Sequence, residues 1–393
     1  MPTQAAASSG FSVCDELPLP TDDTVVCARA TRTDTYPIYV TRTLADAIGH
    51  LEAIVDGARL AIITDERVDQ LHGRELYEAL DRAGLRHQAY RLPAGEPSKS
   101  IARMNELLDW LADSDISRRD YILTFGGGVI NDTGGFVASA YMRGLPYINL
   151  PTTLLAQVDG AMGGKVAVNH PKAKNLIGAF YQPAAVISNV AFLETLDRRH
   201  LAAGLAESIK KAVIASPDYW HFIDQAAEQL IERDLDALEH LVRSAAAIKT
   251  RLVERDPYEH DLRRPLNFGH TIGHPLETLA GYGTLLHGEA VAFGMVVETQ
   301  IAANRGILTQ PLNEWLPELL LRLDLPEHGG RLPRGIHLEA LDDAMRPVYR
   351  IRDRSFLYVL PKCLGTTVIA VDVTASELHT AAIQVGVPQA AGT

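Results

Sequence analysis

Segments typical of strands alternate with segments typical of helices between residues 36 and 125, and this alternation restricts the fold more than any other feature. Short apolar runs predict strands, and amphipathic stretches predict helices. The predicted strands are 36–40, 59–64, 87–92 and 121–125, and the predicted helices are 44–54, 68–83 and 101–112. Because helical crossovers join parallel strands, the pattern predicts an α/β domain with a mostly parallel sheet.

The rest of the chain is mostly helical in pattern. Helical periodicity dominates from about residue 197, in the segments 198–214, 234–253 and 287–306. The strand-like segment 355–361 is assigned to this helical half. Three parts are therefore predicted: an N-terminal arm at 1–35, a nucleotide-binding α/β domain at 36–190 and a mostly helical domain at 191–393.

Composition argues against several classes of function. With 47% apolar and 22% charged residues, the 393-residue chain has the make-up of a globular protein. Its net charge of −12 does not favour a nucleic-acid partner. The sequence lacks a membrane-length apolar run and a secretory leader, so we expect no membrane partner and a cytoplasmic location. Cys14, Cys27 and Cys363 are far apart, which predicts no cysteine-built metal site.

Three histidines within eighteen positions form the first candidate site. His270 and His274 stand four apart, so both face one side of a helix. Gly281 and Gly283 are expected to end that helix, and His287 begins a new segment that also carries Glu289. Imidazoles with a carboxylate suit Zn²⁺ and similar divalent metals, although ordinary core or surface histidines are the alternative.

Polar turns after predicted strands form the second candidate site. Gly126–Gly128 directly follow a strand and precede a helix, where backbone N–H groups can meet a phosphate. A simple tight turn is the alternative. Asp65 follows another strand and suits a ribose hydroxyl, and Gly95–Lys99 provides a third polar turn. Since ligands bind at the carboxyl ends of parallel strands, these turns favour a dinucleotide.

The third informative stretch, 151–182, combines hydroxyls, a carboxylate and lysines with glycines. Lysines on glycine-flanked turns suit a phosphate or sugar hydroxyls, although each alone is more often a solvated surface residue. Glu207 and Lys210 lie three apart on a helix with small neighbours. They are either an ordinary ion pair, or Glu207 is the carboxylate that completes the histidine site.

Six ordered motifs carry a family resemblance: GGGVIND, RGLPYINLPTTLLAQVDGAMGGK, KNLIGAFYQP, AGLAESIK, LNFGHTIGH and LLHGEAVAFGM. Together they resemble the 3-dehydroquinate synthase family of sugar-phosphate cyclases, over residues 36–370. The resemblance implies a nucleotide-binding domain, a helical metal domain and a homodimer. It also implies NAD⁺, one divalent metal (Zn²⁺ expected, Co²⁺ as the alternative) and a small-molecule sugar phosphate as substrate.

The same resemblance implies roles for individual residues. The metal ligands fall on Glu207, His270 and His287. The NAD site falls on Asp65, Glu96, Lys99, Gly127, Gly128, Asp132, Thr152 and Thr153. The catalytic residues in the substrate pocket fall on Asp159, Lys165, Lys210, Lys249, Arg263, Asn267 and His274. Further substrate contacts fall on Lys174, Asn175 and Arg143, the last reaching the phosphate in the neighbouring subunit. Asp159 and Lys210 are candidates for proton relay.

The implied reaction is a phosphate-eliminating ring closure of a seven-carbon keto sugar phosphate. Lys249 and Arg263 match positions that hold a substrate carboxylate, which favours 3-deoxy-arabino-heptulosonate 7-phosphate and a 3-dehydroquinate synthase activity. The chain departs from the usual pattern at Asn131, at 165–169 and at 348–350, where an expected lysine is absent and Arg350 is its candidate replacement. These departures support the alternative substrate sedoheptulose 7-phosphate, with an epi-valiolone-type cyclitol as product.

Two other classes are weighed against a cyclase. NAD- and metal-dependent alcohol or glycerol dehydrogenases share this architecture, but a simple alcohol needs neither the lysine-rich segment nor Arg143. Net formation of NADH would identify a dehydrogenase. A homologue without catalytic activity is the non-enzyme alternative, and the intact set Glu207, His270 and His287 argues against it.

Overall fold

The computed structural model describes residues 34–171, 173–258, 264–281, 283–351 and 356–389. Most of the predicted N-terminal arm, Arg263 and the side chain of Arg350 lie outside this described part. The strands are β1 (Ile38–Thr41), β2 (Leu60–Asp65), β3 (His87–Leu92), β4 (Tyr121–Gly126), β5 (Tyr147–Pro151), β6 (Lys165–His170), β7 (Ala173–Phe180), β8 (Ala185–Asn189), β9 (Tyr358–Cys363) and β10 (Thr366–Ala370).

The helices follow the predicted periodicity closely. In the first half they are α1 (Leu44–Val55), α2 (Glu66–Val68), α3 (Arg74–Arg82), α4 (Ile101–Asp113) and α5 (Gly128–Ala140). In the second half they are α6 (Arg198–Ala215), α7 (Pro217–Gln225), α8 (Ala227–Ile231), α9 (Leu235–Arg255), α10 (His270–Ala280), α11 (His287–Asn304), α12 (Leu312–Arg322), α13 (Leu338–Ile351) and α14 (Ala375–Gln384). A π-helical turn, Asp69–Gly73, joins α2 to α3, so the predicted helix 68–83 is nearly continuous.

Six parallel strands form the main sheet in the order β1-β8-β5-β4-β2-β3. Along β2, Leu60 and Ile62 pack in the layer that contains α1 and α3. Ala61 and Ile63 pack in the opposite layer, which contains α4 and α5. A strand covered on both faces is apolar throughout, which is why its sequence reads as a continuous apolar run. The predicted α/β fold class is confirmed.

The strand order creates a crevice at the carboxyl edge of the sheet. From β2 the chain moves outward to β3, then crosses back to β4 on the other side of β2. Helices that leave neighbouring strands in opposite directions open a space between their first turns, where ligands bind in such sheets. Asp65 and Gly126 end the two strands that flank this space.

An antiparallel hairpin, β6–β7, corrects one sequence interpretation. Lys174 and Asn175 lie within β7, not on a glycine-flanked turn as predicted. Lys165 begins β6 directly after Gly163 and Gly164, which both have positive φ angles. Val166 and Val168 alternate along β6, which is a pattern typical of a strand. The neighbouring glycines and lysines favoured a turn instead, which is why the hairpin was not predicted.

The helical half is held together where helices cross at small residues. A Cβ on Gly288 of α11 would lie 1.9 Å from the carbonyl oxygen of Ala203 on α6. A Cβ on Gly294 would lie 2.0 Å from the carbonyl oxygen of Gly269, which precedes α10. Backbone atoms therefore set the spacing of α6, α10 and α11. None of the helices in the described ranges combines the length and apolarity needed to cross a bilayer.

Candidate active site

The predicted dinucleotide residues gather at the carboxyl edge of the sheet. Asp65 caps α2, with its Oδ1 accepting hydrogen bonds of 3.0 Å from the backbone N–H groups of Arg67 and Val68. Gly127 precedes α5, and a Cβ there would lie 3.0 Å from Cγ2 of Thr153. Glycine thus keeps the helix N-terminus open, as a phosphate-binding turn requires.

A second set of contacts fixes the turn after β3 to the hairpin. Lys99 is buried and forms an ion pair with Asp132 on α5. The Lys99 carbonyl accepts a 2.9 Å hydrogen bond from the Asn169 backbone N–H, and Asn169 Nδ2 donates to Glu96 Oε1 at 2.7 Å. Glu96, Lys99 and Asp132, all predicted for NAD, therefore lie in one connected group.

Asp159 is half-buried and lies at the centre of a charge cluster with two buried lysines. The π-helical turn Ala156–Gly160 presents it to Lys211, whose Nζ donates to Asp159 Oδ1 at 2.7 Å. Lys249 Nζ lies 3.1 Å from the same oxygen and donates to the Asp159 carbonyl at 2.6 Å. Burial alone would raise the pKa of Asp159, but these ammonium groups outweigh it and hold that pKa well below its usual range.

Glu207 lies on α6 and is buried, and it forms an ion pair with Lys210. The ion pair that the sequence analysis kept as an alternative is therefore present. Neither carboxylate oxygen of Glu207, however, has a hydrogen-bond partner of good geometry. Burial would raise the pKa of Glu207, but Lys210 outweighs it and keeps the carboxylate ionised.

Two imidazoles converge on Glu207. Nε2 of His270 and Nε2 of His287 each lie 3.6 Å from Glu207 Oε1. The Nδ1 atoms face hydrogen-bond acceptors, at 3.2 Å from the Phe268 carbonyl for His270 and 3.1 Å from a Glu277 oxygen for His287. With protons on Nδ1, the Nε2 atoms that face the carboxylate are the nitrogens that a metal bound there would use.

This arrangement fits a divalent cation. Ligand atoms around a tetrahedral Zn²⁺ lie about 3.3 Å apart when each is about 2.05 Å from the metal, close to the separations here. Burial and the Lys210 charge hold the pKa of His270 well below its usual range, so its imidazole is neutral. Burial would lower the pKa of His287, but Glu207 and Glu277 raise it to about 9, so this position favours positive charge.

His274 offers a second possible ligand set. Ligand atoms of His270, His274 and His287 all lie within 4.8 Å of one another. The His274 ring centroid is 4.9 Å from that of His270 and 5.7 Å from that of His287. The prediction that Glu207 is the third ligand and that His274 contacts substrate is therefore compatible with the geometry, and it stays a prediction.

Other predicted residues lie at the periphery. Glu289 is bound by Arg199 at 2.5 Å and caps α11, so it does not complete the histidine site. Asn267 is half-buried just before α10, and Lys165 is exposed. Asn175 is exposed, and its backbone N–H donates a 2.9 Å hydrogen bond to Asn169 Oδ1.

Arg143 is also exposed, in a turn where Met142 and Arg143 both have positive φ angles. Such backbone is costly for residues other than glycine and is retained where it directs a side chain. Arg143 is therefore accessible at the surface of its own chain.

Sequence reasoning missed two residues of this site. Lys211 follows the predicted Lys210 and lies four positions after Glu207, a spacing that places both on one helix face. Glu277 lies seven positions after His270, two turns along the same face of α10. Both signals were present in the sequence, although neither residue belongs to a quoted motif.

Comparison with known proteins covers most of the chain. Residues 89–203 match the model of the 3-dehydroquinate synthase N-terminal domain, and residues 204–346 match that of the C-terminal domain. A 2-epi-valiolone synthase of Actinosynnema mirum is 48% identical over 379 residues, which is 96% of this chain and 98% of the relative. A 3-dehydroquinate synthase of Desulforamulus reducens is 42% identical over 344 residues, which is 87% of this chain and 95% of the relative.

A solved structure agrees with these matches. The 2-epi-5-epi-valiolone synthase of Streptomyces hygroscopicus, determined with NAD⁺ and Zn²⁺ bound, superposes with a TM-score of 0.85 at 28% identity. The match covers 92% of this chain and 99% of that one. The family models, the relatives and the fold all agree, and the chain therefore belongs to the 3-dehydroquinate synthase family of sugar-phosphate cyclases.

Proposed function

We propose that this protein is an NAD- and divalent-metal-dependent cyclase that converts sedoheptulose 7-phosphate to an epi-valiolone-type cyclitol. The observation that carries the proposal is the 48% identity to a 2-epi-valiolone synthase, because it extends over 96% of this chain and 98% of the relative. This favours the substrate that the sequence analysis ranked second.

Glu207, His270 and His287 are the proposed metal ligands, since Nε2 of each histidine lies 3.6 Å from the same Glu207 oxygen, close to the ligand separation around Zn²⁺. The sheet-edge group around Asp65, Gly127 and Lys99 is the proposed NAD site. When bound, NAD⁺ supplies a reversible hydride acceptor and the metal supplies a Lewis acid. The Zn²⁺- and NAD⁺-containing relative supports the choice of these two cofactors.

The residues of this chain supply charge and position. Lys210, Lys211 and Lys249 place three ammonium groups around two carboxylates, which leaves a net positive region for an anionic substrate. The low pKa that its lysine neighbours impose on Asp159 makes it a weak proton acceptor, so its proposed part is to orient Lys211 and Lys249.

A homodimer is part of the proposal. Arg143 is exposed on its own chain, in a turn with two positive φ angles. An exposed arginine is suited to contact a phosphate bound by a neighbouring subunit.

Phosphate release tests the substrate. The purified protein, loaded with Zn²⁺ or Co²⁺ and supplied with NAD⁺, would receive each seven-carbon sugar phosphate separately. We expect release from sedoheptulose 7-phosphate, no net NADH and a phosphate-free carbocycle detected by mass spectrometry. Release from 3-deoxy-arabino-heptulosonate 7-phosphate alone would contradict the proposal, and net NADH would indicate a dehydrogenase.

A 3-dehydroquinate synthase activity is the second candidate. The 42% identity to the D. reducens enzyme favours it, and so does the presence of Lys249, which matches a carboxylate-binding position. In the structure, Lys249 is buried and its ammonium group contacts two atoms of Asp159. Since Asp159 and Lys249 both fall on positions of the family pattern, this contact is expected for either candidate and does not distinguish them.

A further inference from the structure

We propose that Glu277 is a positioning residue that orients the metal ligand His287 and ties it to Lys174 of the hairpin. The inference rests on the proposed function in one respect, namely that His287 is a metal ligand. Glu277 is not among the residues that the family motifs assign, and the proposed reaction does not use it directly.

The two oxygens of Glu277 have different partners. Oε2 lies 3.1 Å from His287 Nδ1, and Oε1 accepts a 2.6 Å hydrogen bond from Lys174 Nζ. The Glu277 side chain is only 8% exposed, whereas those of His287 and Lys174 are 25% and 27% exposed. A buried carboxylate with two charged partners is held in one orientation more firmly than a solvated one.

The His287 contact fixes the tautomer of the imidazole. A carboxylate at Nδ1 keeps the proton on that nitrogen and leaves the lone pair on Nε2. Nε2 is the atom that lies 3.6 Å from Glu207 Oε1, on the side where the proposed ligands converge. Carboxylates in this position also make the imidazole a stronger base and hence a stronger ligand.

The Lys174 contact connects the two halves of the site. Lys174 Nζ also lies 3.6 Å from Glu96 Oε1, which belongs to the proposed NAD group. A continuous path of contacts therefore runs from Glu96 through Lys174 and Glu277 to His287. Glu277 thereby places the proposed nucleotide and metal groups in a fixed relation across the hairpin.

Metal affinity tests this role without substrate. Co²⁺ binding to the full-length protein would be measured by competition with a chelator, and the visible Co²⁺ absorption would report ligand geometry. Loss of such a carboxylate partner lowers metal affinity by about 10- to 100-fold, and we expect this for Glu277→Gln, with an altered spectrum. Glu377→Gln is the matched control, because Glu377 pairs with Arg305 far from the site, with 2.7 Å between Oε1 and Nε.

Lys174→Met separates positioning from simple charge. If Glu277 acts only through its negative charge, removing the positive charge of Lys174 should raise Co²⁺ affinity, by about the same factor by which E277Q lowers it. If Glu277 orients His287 with Lys174 as its second anchor, K174M should not raise affinity, and its Co²⁺ spectrum should change in the same direction as that of E277Q. Unchanged affinity in E277Q, or equal and opposite effects of the two variants, would overturn the inference.

A third variant distinguishes failure of this inference from failure of the metal assignment. His287→Ala should abolish tight Co²⁺ binding. If H287A binds Co²⁺ like the parent, both the ligand assignment and the role of Glu277 are wrong. If H287A loses the metal while E277Q keeps it with the parent spectrum, only the role of Glu277 is wrong.

Discussion

Lys211→Met should destabilise the protein measurably, although the substitution keeps an unbranched side chain of similar length. Lys211 is completely buried and donates to Asp159 Oδ1 at 2.7 Å. Breaking a buried ion pair by removing one partner costs about 3–5 kcal/mol, because the other charge is left behind. The Asp159 side chain is 28% exposed and Lys249 remains 3.1 Å from the same oxygen, so we expect a value at the lower end, about 3 kcal/mol.

Thermal unfolding followed by circular dichroism measures this cost. At about 2 °C per kcal/mol for a chain of this size, K211M should lower Tm by roughly 6 °C. Lys362→Met is the matched control, because Lys362 is exposed and such surface changes stay within about 0.5 kcal/mol.

A double-mutant cycle isolates the ion pair itself. Asp159→Asn leaves Lys211 and Lys249 buried without their carboxylate, so it should be costly alone. The double variant should be more stable than the sum of the single effects predicts, with a coupling of about 1–3 kcal/mol. Additive effects, or a K211M protein that melts within about 1 °C of the parent, would refute the reasoning.

Two further predictions concern other parts of the fold. Burial would raise the pKa of Asp120, but hydrogen bonds from Arg59 and Ser117 outweigh it and lower that pKa below its usual range. Asp120→Asn should therefore lower the free energy of unfolding by about 1–3 kcal/mol at neutral pH. Measured by urea unfolding, the difference in this free energy between variant and parent should shrink below about pH 4. A difference that does not change with pH would contradict this. Gly288→Ala should lower the free energy of unfolding by about 1–3 kcal/mol and weaken Co²⁺ binding, because its Cβ would meet the Ala203 carbonyl. Gly49→Ala is the control: it lies on an open helix surface, so the substitution should be neutral or stabilising. Equal melting of the two glycine variants would show that the helix crossing is not tight.

Local patterns predicted the elements of the fold well. The strand–helix alternation predicted the sheet, and the extents of β2, β3 and β4 agree with the predicted segments to within one residue at each end. Gly281 ends α10 as predicted, because its φ of +79° suits glycine. These features depend on residues that are neighbours in the sequence, which is why the sequence alone could indicate them.

Features that depend on distant residues were harder to predict. The contacts of Lys174 with Glu277 and of Lys211 with Asp159 join residues 103 and 52 positions apart. The sequence could indicate that these charges exist, but their pairing follows from how α6, α10 and the hairpin pack. The domain boundary near residue 190 and the roles of the site residues stay predictions.

The tight helix crossings at Gly288 and Gly294 have a consequence for how the site can evolve. Those positions leave no room for a side chain, so the frame that carries Glu207, His270 and His287 is fixed by backbone contacts. Lys165 is instead exposed at the start of the hairpin, where other side chains fit without disturbing that frame. One metal scaffold can therefore be adapted to different sugars by changes confined to its exposed margin.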